Sequence, residues 1–355
     1  MEAEVKLVVE GGIPTMTQSE LVKTALDLVS PGKGILAADE SLGTIKKRFD
    51  RINVESTEEA RRSYREMLFT TPNLERHISG VILFDETIRH ATAEGTPFVE
   101  VLSEKGIIPG IKVDKGAKAL AGFPGEKITE GLDGLRERLI EYYELGARFA
   151  KWRAVITIGE DIPTGACIDA NAYALARYAA LCQEAGLVPI VEPEVLLDGD
   201  HDISRCGQVS ERTWSGLFTA LHKHRVASDG LLLKTNMVLP GKDHPRQADV
   251  EEIAEITVNS LRNTVPPSMP GVVFLSGGMT YLEATERLNA MNVMGDHPWQ
   301  LSFSYGRALQ ETALDAWQGD PAKMAAGQAA LYHRAKCNGA ARDGRYTREM
   351  EAEAS

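Results

Sequence analysis

Short apolar segments recur along the chain and alternate with longer stretches of amphipathic spacing. The apolar segments, rich in Val, Ile, Leu or Phe, are predicted strands: residues 34–39, 80–84, 107–113, 147–156, 188–195, 231–238, 272–276 and 301–305. Runs of this kind are typical of strands buried on both faces. The stretches between them that are predicted as surface helices are 130–145, 170–185, 209–222, 250–262 and 282–292.

This alternation predicts the fold class. Eight successive β/α units in one chain favour an α/β protein with a closed parallel barrel, the TIM (β/α)8 barrel. A doubly wound open sheet is the alternative, but no GxGxxG motif follows an early strand.

Three regions are predicted along the chain. Residues 1–30 form an N-terminal arm with one short helix at 19–29, for which Ser19 is a plausible N-cap. Residues 31–342 form a single barrel domain that includes C-terminal helices at 308–317 and 321–336. Residues 343–355 are polar, lack periodicity and are expected to form a flexible tail. Within the barrel domain, the long insertion at 40–79 contains a charged helix at 57–69, and we expect it to cover one end of the barrel.

Composition and charge narrow the function. The chain has 355 residues, 43% of them hydrophobic, and its formal net charge of −12 argues against nucleic-acid or anionic-membrane binding. Four cysteines without CxxC spacing are expected as free thiols. The apolar stretch at residues 5–9 is too short for the hydrophobic region of a secretory signal peptide, so we expect a cytoplasmic protein. The close histidine pair, His222 and His224, has no carboxylate at metal spacing, so neither a metal nor another cofactor is expected.

A lysine interrupts one of the apolar strands. Lys234 follows three leucines and precedes further apolar residues. An amine buried at such a position must be paired, neutral or covalently used. Burial favours the neutral amine that attacks a carbonyl to form a Schiff base, but a structural lysine in an internal ion pair is the alternative.

Other strand ends are also ionic. In a parallel barrel, function lies at the carboxyl ends of the strands. The charged residues there are Asp39, Lys112, Lys151, Arg153, Glu192 and Glu194. Side chains two residues apart on a strand share a face, so the pair Lys151 and Arg153 and the pair Glu192 and Glu194 are each expected to point the same way. These residues indicate either an active site or an ion-pair network that fills the barrel mouth.

The last two strands end in glycine-rich segments. Ser276, Gly277 and Gly278 follow the seventh strand, and Gly306 and Arg307 follow the eighth. Glycines let backbone N–H groups approach an oxyanion, and the loops after strands seven and eight recur as a phosphate site in barrels. The unaided prediction is a barrel enzyme acting on a phosphorylated carbonyl compound through a lysine amine.

Seven segments resemble those of class I fructose-bisphosphate aldolases, in that family's order: GILAADES at 34–41, GIKVDKG at 110–116, FAKWR at 149–153, VPIVEPE at 188–194, LLLK at 231–234, FLSGG at 274–278 and FSYGRAL at 303–309. The resemblance covers residues 32–346. It implies a lyase that reversibly cleaves fructose 1,6-bisphosphate to dihydroxyacetone phosphate and glyceraldehyde 3-phosphate, in glycolysis and gluconeogenesis, and a homotetramer.

The resemblance also implies roles for individual residues. Lys234 forms the Schiff base, and Glu192 is the acid and base for carbinolamine formation and dehydration. Asp39 takes the hydroxyl proton as the carbon–carbon bond breaks, and Lys151 tunes the charge around the Schiff base. The residues implied in substrate binding are Ser276, Gly277, Gly306 and Arg307 at the phosphate nearest the ketone, Ser41, Lys47 and Arg48 near the other phosphate, Arg153 as a further contact, and Glu194 and Lys112 in support.

Some features depart from the animal members of the family. The chain does not end in tyrosine, the residue that assists enamine protonation in those members, and its nearest tyrosine is Tyr346. Thr235 replaces the proline usual after the Schiff-base lysine, and 279–281 also differ. Two alternative functions remain at this point, a transaldolase-like enzyme with the same lysine chemistry and a non-catalytic scaffold.

Overall fold

The computed structural model describes residues 17–354, and the predictions for residues 1–16 lie outside that range. Ten strands are present in the described chain. Their bounds are β1 Gly34–Ala37, β2 Ile78–Leu83, β3 Ile108–Lys112, β4 Ala117–Ala119, β5 Lys127–Thr129, β6 Phe149–Ile156, β7 Val188–Val195, β8 Leu232–Thr235, β9 Gly271–Phe274 and β10 Gln300–Tyr305.

Eight of these strands close a parallel barrel in the order β1-β2-β3-β6-β7-β8-β9-β10, with β10 pairing back onto β1. The predicted TIM barrel is therefore confirmed, and each predicted strand corresponds to one barrel strand. The observed strands differ from the predictions by up to three residues at an end. The open-sheet alternative is wrong.

Helices surround the barrel. Their bounds are α1 Gln18–Leu28, α2 Leu42–Arg51, α3 Glu58–Phe69, α4 Asp85–Ile88, α5 Phe98–Glu104, α6 Leu135–Glu144, α7 Gly165–Glu184, α8 Ile203–Lys223, α9 Val250–Thr264, α10 Tyr281–Val293, α11 Arg307–Trp317 and α12 Met324–Arg342. Short 3-10 segments lie at Leu74–Arg76, Ser228–Gly230, Pro321–Lys323 and Arg348–Ala354.

The barrel interior is divided into an apolar floor and an ionic mouth. Inward residues near the amino ends of the strands, including Phe149, Ile190 and Leu232, form one apolar cluster. Helix α1 closes this end, since Leu21 and Leu28 belong to the same cluster. Because side chains alternate along a strand, the inward positions two residues farther on are Lys151, Glu192 and Lys234.

Several elements differ from the sequence predictions. The N-cap of α1 is Thr17 rather than Ser19, because the Thr17 and Glu20 side chains and backbone form a reciprocal capping box. The predicted C-terminal helix at 321–336 is a 3-10 turn followed by α12, which continues to Arg342.

The insertion at 40–79 contains two helices. Helix α2 begins at the barrel mouth, whereas α3 packs against α5 and α12 on the side of the barrel. The prediction that the insertion covers a barrel end is therefore wrong for α3. The hairpin of β4 and β5 was not predicted, because both strands are short and β4 is exposed. Within residues 17–354 no helix is both long and apolar enough to cross a bilayer.

Candidate active site

Lys234 lies at the carboxyl end of β8 and is almost completely buried, with 4% of its surface exposed. Leu232, two residues earlier, belongs to the apolar floor, so the strand itself aims Lys234 into the mouth. The neighbouring strand β7 supplies Glu192, and β6 supplies Lys151. Asp39 follows β1 across the mouth.

These four side chains form a row of alternating charge, here called the ionic row. Lys234 Nζ lies 3.3 Å from Glu192 Oε1, and Lys151 Nζ lies 3.1 Å from Glu192 Oε2. Lys151 Nζ also lies 2.7 Å from Asp39 Oδ2. Each cation has a carboxylate beside it, which offsets the cost of removing both from water.

The row fixes the charge states of its members. Burial alone would raise the pKa of Asp39, but the charges of Lys151 and Lys234 outweigh it and hold that pKa below its usual value. The same balance lowers the pKa of Glu192. For Lys151, burial lowers the pKa, but Asp39 and Glu192 outweigh burial and raise it. Asp39, Glu192 and Lys151 are therefore all charged at neutral pH.

A second set of ion pairs lies farther up the mouth. Arg153 Nε donates to Glu194 Oε2. The second charged residue of β6 therefore contacts the second charged residue of β7. Lys112 Nζ donates to Asp114 Oδ1 at 2.6 Å, and Asp114 Oδ2 accepts from the Arg153 backbone at 3.2 Å. Lys112 and Arg153 therefore lie on neighbouring strands and are linked through Asp114.

The glycine-rich segments lie beyond β9 and β10. Gly278 has φ +77°, which favours glycine, and a Cβ on Gly277 would lie 3.0 Å from Glu194 Oε1. Helix α11 begins at Arg307 after Gly306, and the Ala308 N–H of its first turn donates to Ser276 Oγ at 3.5 Å. The helix N-terminus and the Arg307 guanidinium, which donates to Met279 O at 2.9 Å, provide donors for an anion.

Arg48 lies against this same end of the mouth. A Cβ on Gly306 would be 3.5 Å from Arg48 Nη2. The sequence prediction placed Arg48 with the other phosphate, and which phosphate it meets stays a prediction. Lys47, the next residue on α2, is exposed and does not line the mouth, so its predicted substrate contact stays a prediction.

A buried network holds Arg48. Glu40 is 8% exposed and lies between two guanidinium groups, pairing with Arg48 through Oε1 and with Arg65 through Oε2. Gln310 Nε2 donates to Glu40 Oε1 at 3.0 Å and to Ala37 O at 2.7 Å. The network therefore joins the end of β1 to α2, α3 and α11.

The mouth is a cavity of about 1130 Å³. Its lining includes every predicted site residue except Lys47: Asp39, Ser41, Arg48, Lys112, Lys151, Arg153, Glu192, Glu194, Lys234, Ser276, Gly277, Gly306 and Arg307. A carbonyl compound that entered it would meet the Lys234 and Lys151 amines, carboxylates beside them, and the cations of Arg153 and Arg307.

Comparisons with known proteins agree with this geometry. The sequence model of the family "Fructose-bisphosphate aldolase class-I" matches residues 20–355. The chain is 59% identical over 332 residues to the "Probable fructose-bisphosphate aldolase class 1" of Xanthomonas campestris pv. campestris, covering 93% of this chain and 99% of that protein. This chain belongs to the class I fructose-bisphosphate aldolase family.

Two further aldolases extend the likeness. "Fructose-bisphosphate aldolase 5, cytosolic" of Arabidopsis thaliana is 56% identical, with 92% of each chain covered. The solved Plasmodium falciparum aldolase, in complex with TRAP and a small-molecule inhibitor, superposes with a TM-score of 0.92 at 50% identity and covers 93% of this chain and 95% of its own. The family resemblance drawn from seven segments is confirmed.

Several residues of the aldolase mouth were not predicted. Glu40, Asp114, Arg138 and Tyr142 line the cavity. Asp114 stands two residues after Lys112 in the segment GIKVDKG, so the spacing rule applied to β6 and β7 would have found it. Arg138 and Tyr142 come from α6, and no motif in their helix distinguishes them from surface residues.

Proposed function

We propose that this chain is a Schiff-base lyase that reversibly cleaves fructose 1,6-bisphosphate to dihydroxyacetone phosphate and glyceraldehyde 3-phosphate. The single observation that carries the residue assignment is the ionic row. In it Lys234 Nζ lies 3.3 Å from Glu192, while Lys151 is already paired with Asp39. Membership of the aldolase family supplies the reaction.

The reaction begins at Lys234. Its amine, after giving a proton to a neighbouring carboxylate, attacks the substrate ketone and forms a carbinolamine. Glu192 is the nearest carboxylate to Lys234 in the ionic row and protonates the carbinolamine hydroxyl, which leaves as water. The iminium that remains is an electron sink for the next step.

The carbon–carbon bond breaks next to the iminium. Asp39 removes the proton of the substrate hydroxyl, the aldehyde leaves, and the bonding electrons form an enamine with the Lys234 nitrogen. Its lowered pKa keeps Asp39 ionised and ready to accept that proton at neutral pH. Lys151, held between Asp39 and Glu192, keeps both carboxylates in place.

The two phosphates occupy opposite sides of the mouth. Strands β9 and β10 lie diametrically opposite β3 and β6 in the barrel order. We assign the phosphate nearest the ketone to Ser276, Gly277, Gly306 and Arg307, joined by Arg48. We assign the other to Lys112 and Arg153, which exchange their carboxylate partners for phosphate when substrate binds.

The remaining assignments rest on the family. The partner is a phosphorylated sugar, the location is cytoplasmic as for the cytosolic-named plant relative, and the assembly is a homotetramer. The formal net charge of −12 supports the absence of nucleic-acid and membrane partners.

A borohydride trap tests the proposal. Reduction in the presence of dihydroxyacetone phosphate should attach the substrate covalently to the peptide containing Lys234, as detected by mass spectrometry. The reduced protein should no longer cleave fructose 1,6-bisphosphate. Lys234→Met should remove the adduct and lower cleavage by several orders of magnitude. Lys223→Met, at the exposed end of α8, is the matched control and should retain both.

Two outcomes would overturn the proposal. An adduct mapped to Lys151 would reassign the nucleophile, and full cleavage without any adduct would exclude Schiff-base chemistry. A transaldolase would exchange sugars with an acceptor aldehyde instead of releasing glyceraldehyde 3-phosphate, and a scaffold would show neither activity.

A further inference from the structure

A cluster of metal-ligand side chains lies on the outside of the barrel, where the C-terminal 3-10 segment Arg348–Ala354 packs on α12. Its members are His333, Cys337 and Glu351, and their ligand atoms all lie within 4.8 Å of one another. His333 and Cys337 are four residues apart on α12 and therefore face the same side. Glu351 reaches them from the 3-10 segment.

The spacing of these atoms suits a tetrahedral ion. With bond lengths of about 2.0–2.3 Å, the ligand atoms of a tetrahedral zinc site lie about 3.3–3.6 Å apart. Cys337 Sγ lies 3.7 Å from His333 Nε2, which lies 3.5 Å from Glu351 Oε2. Small shifts of side chains would therefore place all three atoms around one ion.

Neighbouring groups already orient the carboxylate. Tyr346 donates its hydroxyl to Glu351 Oε1 at 2.8 Å, and Arg334 donates to Oε2. Arg334 is in turn held by Thr285, to which it donates at 2.8 Å. Metal ligands are typically held by such a second set of hydrogen bonds.

We propose that His333, Cys337 and Glu351 bind a divalent ion of the zinc class, which fastens the C-terminal segment to α12. Water completes the coordination, since His333 and Glu351 are partly exposed while Cys337 is buried. One thiolate and one carboxylate neutralise the ion, and a mixed nitrogen, sulfur and oxygen set favours zinc over magnesium or calcium.

Binding must release a proton. A thiol must lose its proton to bind an ion, so the Cys337 proton passes to solvent as the metal–sulfur bond forms. Affinity should therefore rise with pH, because protons compete with the ion for the ligand atoms. This site is separate from the mouth, so its chemistry is independent of the proposed cleavage.

Cobalt provides the test, because thiolate ligation to Co²⁺ produces a charge-transfer band. The purified full chain, treated with chelator and then titrated with Co²⁺, should show one such band, which Zn²⁺ removes at one equivalent. Cys337→Ser and Glu351→Gln should each weaken binding at least about tenfold. Cys182→Ser is the matched control, since Cys182 is also a buried free cysteine but lies on α7.

A second measurement tests whether the ion holds the C-terminal segment on α12. Zn²⁺ should slow amide hydrogen exchange in residues 348–354 of the unaltered chain and leave that of Cys337→Ser unchanged. A cobalt band that persists in Cys337→Ser would overturn the proposal. So would the lack of any band or exchange effect at millimolar metal. If Glu351→Gln binds as tightly as the unaltered chain, the proposed ligand set is wrong.

Discussion

Lys151 touches two carboxylates, and this shared contact makes Asp39 and Glu192 depend on the same cation. Both carboxylates have lowered pKa values in the folded protein. Their contribution to stability is complete above the unfolded pKa values of about 3.9 and 4.3, and is lost as pH falls below them. The raised pKa of Lys151 contributes stability that is lost only above about pH 10.4.

Asp39→Asn tests this dependence. We expect the variant to be less stable than the unaltered chain at pH 7, because a buried cation loses one of its partners. The difference should shrink as pH falls below about 4, because Asp39 then takes up a proton in the unfolded chain while its lowered pKa keeps it ionised in the folded protein. Urea unfolding between pH 7 and 3 measures it, with Asp50→Asn in an exposed pair on α2 as control. A difference that stays constant with pH would contradict the expectation.

At the residue scale, the sequence was sufficient to place side chains whose inward direction follows from the alternation along a strand. Lys151, Glu192 and Lys234 could be placed because two-residue spacing follows from strand geometry. Glu40 could not be placed, because its partners Arg65 and Gln310 are distant in sequence and meet it only through tertiary packing.

At the scale of elements, the glycines of the barrel strands leave room for aromatic rings of the floor. A Cβ on Gly110 of β3 would lie 2.3 Å from the Phe149 ring. Gly110→Ala should therefore lower the free energy of unfolding by about 1–3 kcal/mol through overpacking. Gly43→Ala on α2, where nothing lies within 4 Å, should change it by less than about 1 kcal/mol and in the stabilising direction. Denaturant unfolding of both variants measures these changes. Equal changes in the free energy of unfolding would contradict the explanation.

The Glu40 network joins four elements and should control the position of Arg48. Glu40→Gln leaves the buried Arg65 and the partly buried Arg48 with one neutral partner, so we expect a loss of about 3–5 kcal/mol in stability. We also expect KM for the bisphosphate to rise more than kcat falls, because we assign Arg48 to a phosphate rather than to the reacting atoms. Glu311→Gln, at an exposed ion pair of α11, should change neither value. A fall in kcat alone would assign Glu40 to the chemistry.

An element was easier to predict when more of its residues are buried. The eight barrel strands are largely buried runs and could be found. Helix α2 was missed although Leu42, Ile45 and Phe49 follow helical spacing, because it is short and buries only Ile45 and Phe49. The N-cap of α1 was misplaced by two residues because Ser19 and Thr17 are chemically similar. Only the reciprocal bonds with Glu20 distinguish them.

At the scale of the whole molecule, the barrel order separates two cationic regions across one mouth. Arg153→Gln should raise KM for fructose 1,6-bisphosphate and leave KM for fructose 1-phosphate nearly unchanged, because we assign to β3 and β6 the phosphate that fructose 1-phosphate lacks. Arg307→Gln should impair both substrates. Steady-state kinetics with the two sugars measure this, and equal effects of Arg153→Gln on both would contradict the assignment of the phosphates.

The ionic row contains two positive and two negative charges and is therefore neutral at rest. An iminium on Lys234 carries the same charge as the ammonium it replaces, so bond cleavage begins without any electrostatic rearrangement of the row. The enamine nitrogen is neutral, and Asp39 is neutral as well because it holds the hydroxyl proton, so Lys151 and Glu192 remain as a balanced pair. Return of a proton from Asp39 to carbon would regenerate the iminium and the carboxylate together. The row therefore stays neutral through the proposed cycle, and no stage leaves an uncompensated charge in the buried mouth.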